Sequence, residues 1–277
     1  MIQNHLLITL ETIVKELVEV LVDYEDNIEV SRLFNWNCDW RKNGLTEEKI
    51  GLINKVTANY ADSNIVILQE CIYDDYIKAK SMYKNAVWHG DGIDGPLGIC
   101  IFSDKYTFEL LDHNVSKSLF RYVVPYSLKN ENINITLFAV WTKSPLYAEY
   151  LSQAIDHYRN LLVEPVVLVG DFNSGDTSKK RSPEHLKVIE KLSNHNIFNC
   201  TKLPGVSYKN DLEMFPTFYH NYDLNKGYVD DYCFISNNRK QINLGHFRIG
   251  NSEKWLKYSD HCPLLIDLYM RKNKQKK

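Results

Sequence analysis

Apolar positions recur along the chain in two rhythms, and the change between them divides the sequence. Over residues 1–27, Leu6, Leu10, Ile13, Val14, Leu17 and Leu21 return at helical spacing while Glu11, Lys15, Glu16 and Glu19 interrupt them. This is the pattern of an amphipathic helix with one face to bury. The charges break the run well short of the ~20 apolar residues that a bilayer span needs. The helix is expected to pack on its own domain, with a protein partner or self-association as the alternative. From residue 28 onward, short runs rich in β-branched and aromatic residues take over, each closing on a polar cluster. Strands are expected at 28–37, 64–70, 95–103, 121–128, 133–141, 165–173, 229–236, 242–250 and in the apolar run after 262, with helices at 45–61, 144–162 and 182–195. The helix at 144–162 opens on Ser-Pro and carries Tyr147, Leu151, Ile155, Tyr158 and Leu162 on one face. The Gly-rich "WHGDGIDG" reads as a turn that exposes His89.

This alternation predicts a layered α/β protein. Two of the runs share a design, "NIVILQE" at 64–70 and "PVVLVGDFN" at 165–173: each is fully apolar and stops abruptly on acid and amide groups. Halves built alike imply two sheets packed face to face. No Ser- or Gly-rich linker divides residues 28–270, so they form one domain, followed by a basic, solvated tail at 271–277.

Composition narrows the partners. A chain of 277 residues with 44% hydrophobic content can fill a sizeable core. Its 33 Lys+Arg balance 35 Asp+Glu to a net charge of -2, so any polyanion must be held by a local patch. Six scattered cysteines without CxxC spacing, and no leader pattern at the start, read as a reduced, cytoplasmic protein with free thiols.

The candidate chemistry lies where the strands end. Asn37 with Asp39, Glu70, Asp171 with Asn173, the Asp230/Asp231 pair, and Asp260 with His261 all sit at such ends, where layered α/β folds gather their ligands. Brought together, these carboxylates would repel one another, and a divalent cation relieves the repulsion. An oxygen-rich donor set without zinc spacing favours Mg2+ or Mn2+. Coordination positions left open would accept water and a phosphate oxygen, as phosphate-ester hydrolysis requires. Asp230 and Asp231 point to opposite faces of a strand, so only one can enter such a site. Lys179, Lys180 and Arg181 in "TSKKRS" form either a phosphate-contacting loop or a solvated turn. Tyr219, with His220 and Tyr222, either stacks on a base or packs.

In chain order, "NWNCD", "LQE", "GDFN", "VDDY" with "FIS", and "SDHCPL" resemble the endonuclease/exonuclease/phosphatase (DNase I-like) superfamily, from about residue 29 to 269. The resemblance implies a four-layered α/β/β/α sandwich with two packed mixed β-sheets. It also implies a Mg2+- or Mn2+-dependent phosphodiester hydrolase, first an endonuclease on nucleic acid, DNA favoured over RNA. The alternatives are a phosphatase or phosphodiesterase for nucleotides, inositol phosphates or phospholipid head groups, and then a silent binding protein. Carried over by motif, Glu70 is the principal metal ligand, with Asn37, Asp39 and Asp260 completing its surroundings. Asp171 orients and deprotonates the attacking water, and Asn173 holds that water or the phosphate. His261 bonds a phosphate oxygen, while Asp231 fixes its tautomer. Where relatives commonly carry His or Tyr, this chain has Trp141, whose indole donates one hydrogen bond but cannot transfer a proton. The text "AVWTKSP" resembles an uncharacterised bacterial subgroup, and Trp141 joins Lys179, Lys180, Arg181 and Tyr219 as an expected substrate contact.

Overall fold

A computed structural model describes residues 27–58, 61, 63–90, 96–115, 119–143, 146–175, 182–203, 215–236 and 241–273. The expected N-terminal helix lies outside these residues apart from Asn27, and the basic tail lies outside them beyond Asn273.

Two six-stranded sheets carry the molecule, and a two-stranded antiparallel ribbon pairs β10 (Phe218–Tyr219) with β11 (Gly227–Tyr228). In the first, the order is β13 (Ile242–Ile249), β14 (Leu264–Arg271), β1 (Ile28–Asn37), β2 (Ser63–Ile72), β4 (Leu97–Ser103) and β3 (Asn85–His89). In the second, it is β5 (Thr107–Leu110), β6 (Val123–Lys129), β7 (Asn134–Trp141), β8 (Val166–Asp171), β12 (Asp231–Ser236) and β9 (Ile197–Asn199). Each sheet has one parallel pair, β1–β2 and β7–β8, among antiparallel neighbours. Each parallel pair is joined by a crossover helix, α1 (Glu47–Thr57) in the first and α3 (Tyr147–His157) in the second. The two halves are thus built alike, as the repeated apolar-to-acid design predicts.

Side-chain alternation fixes the layers. On β1, Leu33 faces the core between the sheets, while Phe34 and Trp36 face α1; on β2, Ile65 and Ile67 face inward and Val66 and Leu68 outward. Thr46 caps α1 by accepting from the Lys49 amide at 3.2 Å, and Ile50 and Ile53 bury its apolar face against Phe34 and Trp36. Short α2 (Tyr73–Ala79) adds Tyr76 and Ala79 to that layer. On the second sheet, α3 and α4 (Ser182–Asn194) supply Leu151, Ile155, Val188 and Leu192. The expected four-layered sandwich is the observed architecture.

Three edge strands, β3, β5 and β9, were not foreshadowed by periodicity, because each is five residues or shorter. His89 is the buried last residue of β3, 5% exposed, rather than part of an exposed turn. All six cysteines are buried free thiols. No helix among the described residues is long and apolar enough to cross a membrane.

Gly170 sits where β8 presses on β7. Its φ is +153°, and a Cβ added there would lie 1.9 Å from the Val140 carbonyl oxygen. Gly170→Ala is therefore expected to cost on the order of 3 kcal/mol, read as a lower urea midpoint; an unchanged midpoint would show that the strand pair has slack.

Candidate active site

The ends of β1, β2 and β8 and the starts of β12 and β14 meet at one edge of the paired sheets. Asn37 ties the sheets together there: its Nδ2 donates to Glu70 Oε1 at 3.1 Å within the first sheet and to Asp171 Oδ2 at 3.0 Å across to the second.

Glu70 reaches this place through a fault in β2. Leu68 and Cys71 both face the helix layer, three positions apart, which regular alternation forbids. The β2–β4 register shifts between them, and Glu70 has φ of +54°. Such a bulge re-aims a side chain. Asp39 and Asn173 also have positive φ, +47° and +48°, so three of the expected site residues hold a backbone that non-glycine residues rarely adopt.

His261 is fixed from four directions. Ser259 Oγ donates to the Asn37 carbonyl at 2.7 Å and accepts the His261 amide at 3.0 Å, while Trp36 Nε1 donates to the His261 carbonyl at 2.9 Å. The Phe218 ring packs on the imidazole at 4.8 Å, and His261 Nδ1 lies 2.8 Å from Asp231 Oδ2. Asp231 is placed in turn by Thr217, whose Oγ1 accepts the amides of Asp230 and Asp231, each at 3.0 Å. Across the sheet, Asp231 is the register partner of Asp171. His261 Nε2 is then left 4.0 Å from both Asp171 Oδ2 and Asp260 Oδ1, too far for direct hydrogen bonds.

Asp171 is buried and heavily solvated by protein donors. Its Oδ1 accepts the Asn173 amide at 2.8 Å, and its Oδ2 accepts Asn173 Nδ2 at 2.8 Å besides Asn37. Asn173 Nδ2 also reaches the Thr142 carbonyl at 3.0 Å, and the Thr142 hydroxyl closes the loop on the Phe172 carbonyl.

The electrostatics separate the acids. Burial pushes the Asp171 carboxyl well above the ordinary range, with Asp231 and Asp230 adding to the effect and His261 opposing it. Burial alone would depress His261, but Asp231, Asp171 and Asp260 outweigh it and raise its proton affinity well above that of a free imidazole. Glu70 is raised by burial too, with Asp39 and Asp260 contributing. Asp39 behaves differently: burial would raise it, yet bonds from Arg41 and Tyr222 bring it below its usual value.

Among the described residues, one group of three His, Cys or acidic side chains has ligand atoms within 4.8 Å of one another: Asp171, Asp231 and His261. Two ligands sharing an ion at about 2.1 Å each stand roughly 3 Å or more apart, so the 2.8 Å contact of His261 with Asp231 is better read as an orienting hydrogen bond. Asp39 and Asp260 are instead linked through Arg41, which bonds each at 2.7 Å.

Two expected substrate contacts are corrected. Tyr219 is 6% exposed and lies in the helix-side core; strand alternation turns its neighbour Phe218 to His261 instead. Trp141 ends β7 opposite Asp171 but is 3% exposed, edge-on to Tyr122 at 5.3 Å with the Lys143 ammonium 3.9 Å over its ring. Lys179, Lys180 and Arg181 lie outside the described residues. Thr217 and Arg41 went unselected in the sequence, and Ser259, noticed there only as part of the polar triplet with Asp260 and His261, was given no role.

No family model matches the chain, and no curated protein matches it significantly. Solved structures share its fold. The endonuclease domain of TRAS1, a telomere-specific non-LTR retrotransposon, is 17% identical with a TM-score of 0.60, covering 87% of this chain and 98% of its own. An endonuclease/exonuclease/phosphatase from Bacteroides vulgatus is 17% identical with a TM-score of 0.59, covering 87% and 99%. TDP2 of D. rerio, complexed with single-strand DNA product, is 14% identical with a TM-score of 0.57, covering 86% and 98%.

Proposed function

We propose, starting from the endonuclease/exonuclease/phosphatase fold, that this chain is a divalent-metal-dependent hydrolase of phosphodiester bonds, acting on nucleic acid with DNA ahead of RNA. The observation that carries the reading is the buried row Asp231–His261–Asp171, joined through Asn37 to Glu70.

The donors fit a hard ion. Glu70, Asn37, Asp39 and Asp260 offer oxygen only, and the repulsion that burial and neighbouring carboxylates impose on Glu70 is what a bound cation would relieve. Glu70 with Asn37 would hold Mg2+ or Mn2+ first. When bound, that ion supplies charge neutralisation at the phosphoryl oxygens.

The remaining work belongs to the chain. Asp171, buried and with its proton affinity raised above that of an ordinary carboxylate, is suited to take a proton from water. The two amides on its Oδ2 fix its orientation. His261, with Nδ1 engaged by Asp231, presents Nε2 as a donor to a phosphoryl oxygen gaining charge in the transition state. Trp141, covered as it is, takes no part in proton transfer.

TRAS1 and DNA-bound TDP2 support nucleic acid as the substrate class. The near-neutral charge favours a second reading, a phosphatase for small esters. A panel of plasmid, linear and single-stranded DNA, RNA and small phosphate esters, with Mg2+, Mn2+ or EDTA, separates them. Metal-dependent cleavage of the polymers is expected; turnover confined to small esters would replace the first reading with the second.

A further inference from the structure

Arg41 has a chemical position that the roles above leave unexplained. Its Nε donates to Asp39 Oδ1 and its Nη2 to Asp260 Oδ2, both at 2.7 Å, and Asp39 is held further by the Arg41 amide at 3.2 Å and by the Tyr222 hydroxyl. One guanidinium therefore spans two acids that come from distant parts of the chain, the end of β1 and the turn before β14. A guanidinium has five N–H donors. Among the described residues two are engaged by the carboxylates, leaving three, on a side chain that is 54% exposed while its partners are 0% and 7% exposed. Asp260, bonded to Arg41 through Oδ2, also has its Oδ1 4.0 Å from His261 Nε2. Arg41 and the imidazole thus flank the same carboxylate.

We propose that Arg41 is the resident cation of the Asp39–Asp260 half of the acidic cluster, standing where a second divalent ion would otherwise neutralise these acids, and that its exposed donors hold a non-bridging oxygen of the substrate phosphate. This rests on the hydrolase reading and deepens it: the centre works with a single divalent ion, at Glu70, and a fixed guanidinium replaces the other. A planar fork suits both tasks, since it can pair with carboxylates on one edge and phosphate on another. Arg41 is accordingly a substrate-contacting residue, while Tyr222 positions Asp39.

The test uses the full chain with Mn2+ alone and then with inorganic phosphate, so it does not depend on turnover. Paramagnetic titration should count a single Mn2+ on the wild type, a second Mn2+ on Arg41→Gln, whose Asp39–Asp260 pair is released, and a single Mn2+ on Arg41→Lys. Affinity for inorganic phosphate, measured at the Mn2+ level that fills a single site, should fall roughly tenfold or more in Arg41→Gln, the loss of a charge-assisted hydrogen bond, and recover in part in Arg41→Lys. Two ions on the wild type, a single ion on Arg41→Gln, or unchanged phosphate affinity would each overturn the proposal. If Arg41→Gln fails to fold, a second ion on Arg41→Lys or its full loss of phosphate binding overturns it as well. The two readings fail differently. A single wild-type ion that is lost in Glu70→Ala but undisturbed in Arg41→Gln removes only the role of Arg41, whereas a folded wild type that binds no Mn2+ removes the metal reading beneath it.

Discussion

Asp171→Asn is expected to lower metal-dependent phosphodiester turnover by about a thousandfold, the middle of the range for losing a positioned general base, while the protein still folds. The substitution conserves shape, so the Asn173 amide can still find an acceptor oxygen where Oδ1 now sits. The chemistry is not conserved. An amide cannot take the proton of water, and its NH2 would face Asn37 and Asn173, both of which donate to Oδ2. Turnover within tenfold of the wild type would mean that another group acts as base. Thermal melts on the same samples separate lost chemistry from lost structure.

The second large effect is expected at Glu70. Divalent ion at about a hundred times its Kd should stabilise the wild type by ~2.7 kcal/mol. Glu70→Ala should gain nothing from the ion and lose turnover by about a thousandfold, the several kcal/mol that such an ion supplies at a phosphoryl group. The backbone gives a further check. Because Glu70 holds φ of +54°, Glu70→Gly without metal should be more stable than Glu70→Ala by on the order of 1 kcal/mol. Equal metal-induced shifts in wild type and Glu70→Ala would place the ion elsewhere, and the Asp171–Asp231–His261 group would then be the next candidate.

How far the sequence carried this picture depends on what each residue must do. The runs ending in Glu70 and Asp171 were legible because a central strand is apolar on both faces and then meets water or a ligand abruptly; both are parallel partners at the sheet centre. The residues of the ordered acidic motifs do converge in space, since His261, Asp231, Asp171, Asn37 and Glu70 lie together at one sheet edge. What alternation alone could not supply was phase. The bulge at Glu70 adds a residue that no periodicity announces. At Phe218–Tyr219 a single step of register decides which aromatic ring faces His261: Phe218 does, and Tyr219 packs, one of the two readings its sequence context allowed. Trp141 lies opposite Asp171 in the strand register, but its burial follows from Tyr122 and Lys143, which approach it only in three dimensions.

Arg41 and Thr217 illustrate a different limit. A charged residue in a polar turn reads as solvated, and a threonine before a short strand reads as neutral. Their significance comes from partners far along the chain: Asp260 for the arginine, and for the threonine the Asp230 and Asp231 amides together with the amide of Cys262, which donates to its carbonyl at 2.6 Å. Long-range hydrogen bonds of this kind leave no local pattern.

The central claim is that this sheet edge hydrolyses phosphodiester bonds with a divalent ion. Its most direct test is conversion of supercoiled plasmid by purified wild-type protein in Mn2+, run beside the same protein in EDTA and beside Asp171→Asn in Mn2+. The account predicts nicked plasmid in the first reaction alone. Intact plasmid in all three reactions, or nicking that survives EDTA or Asp171→Asn, would contradict it.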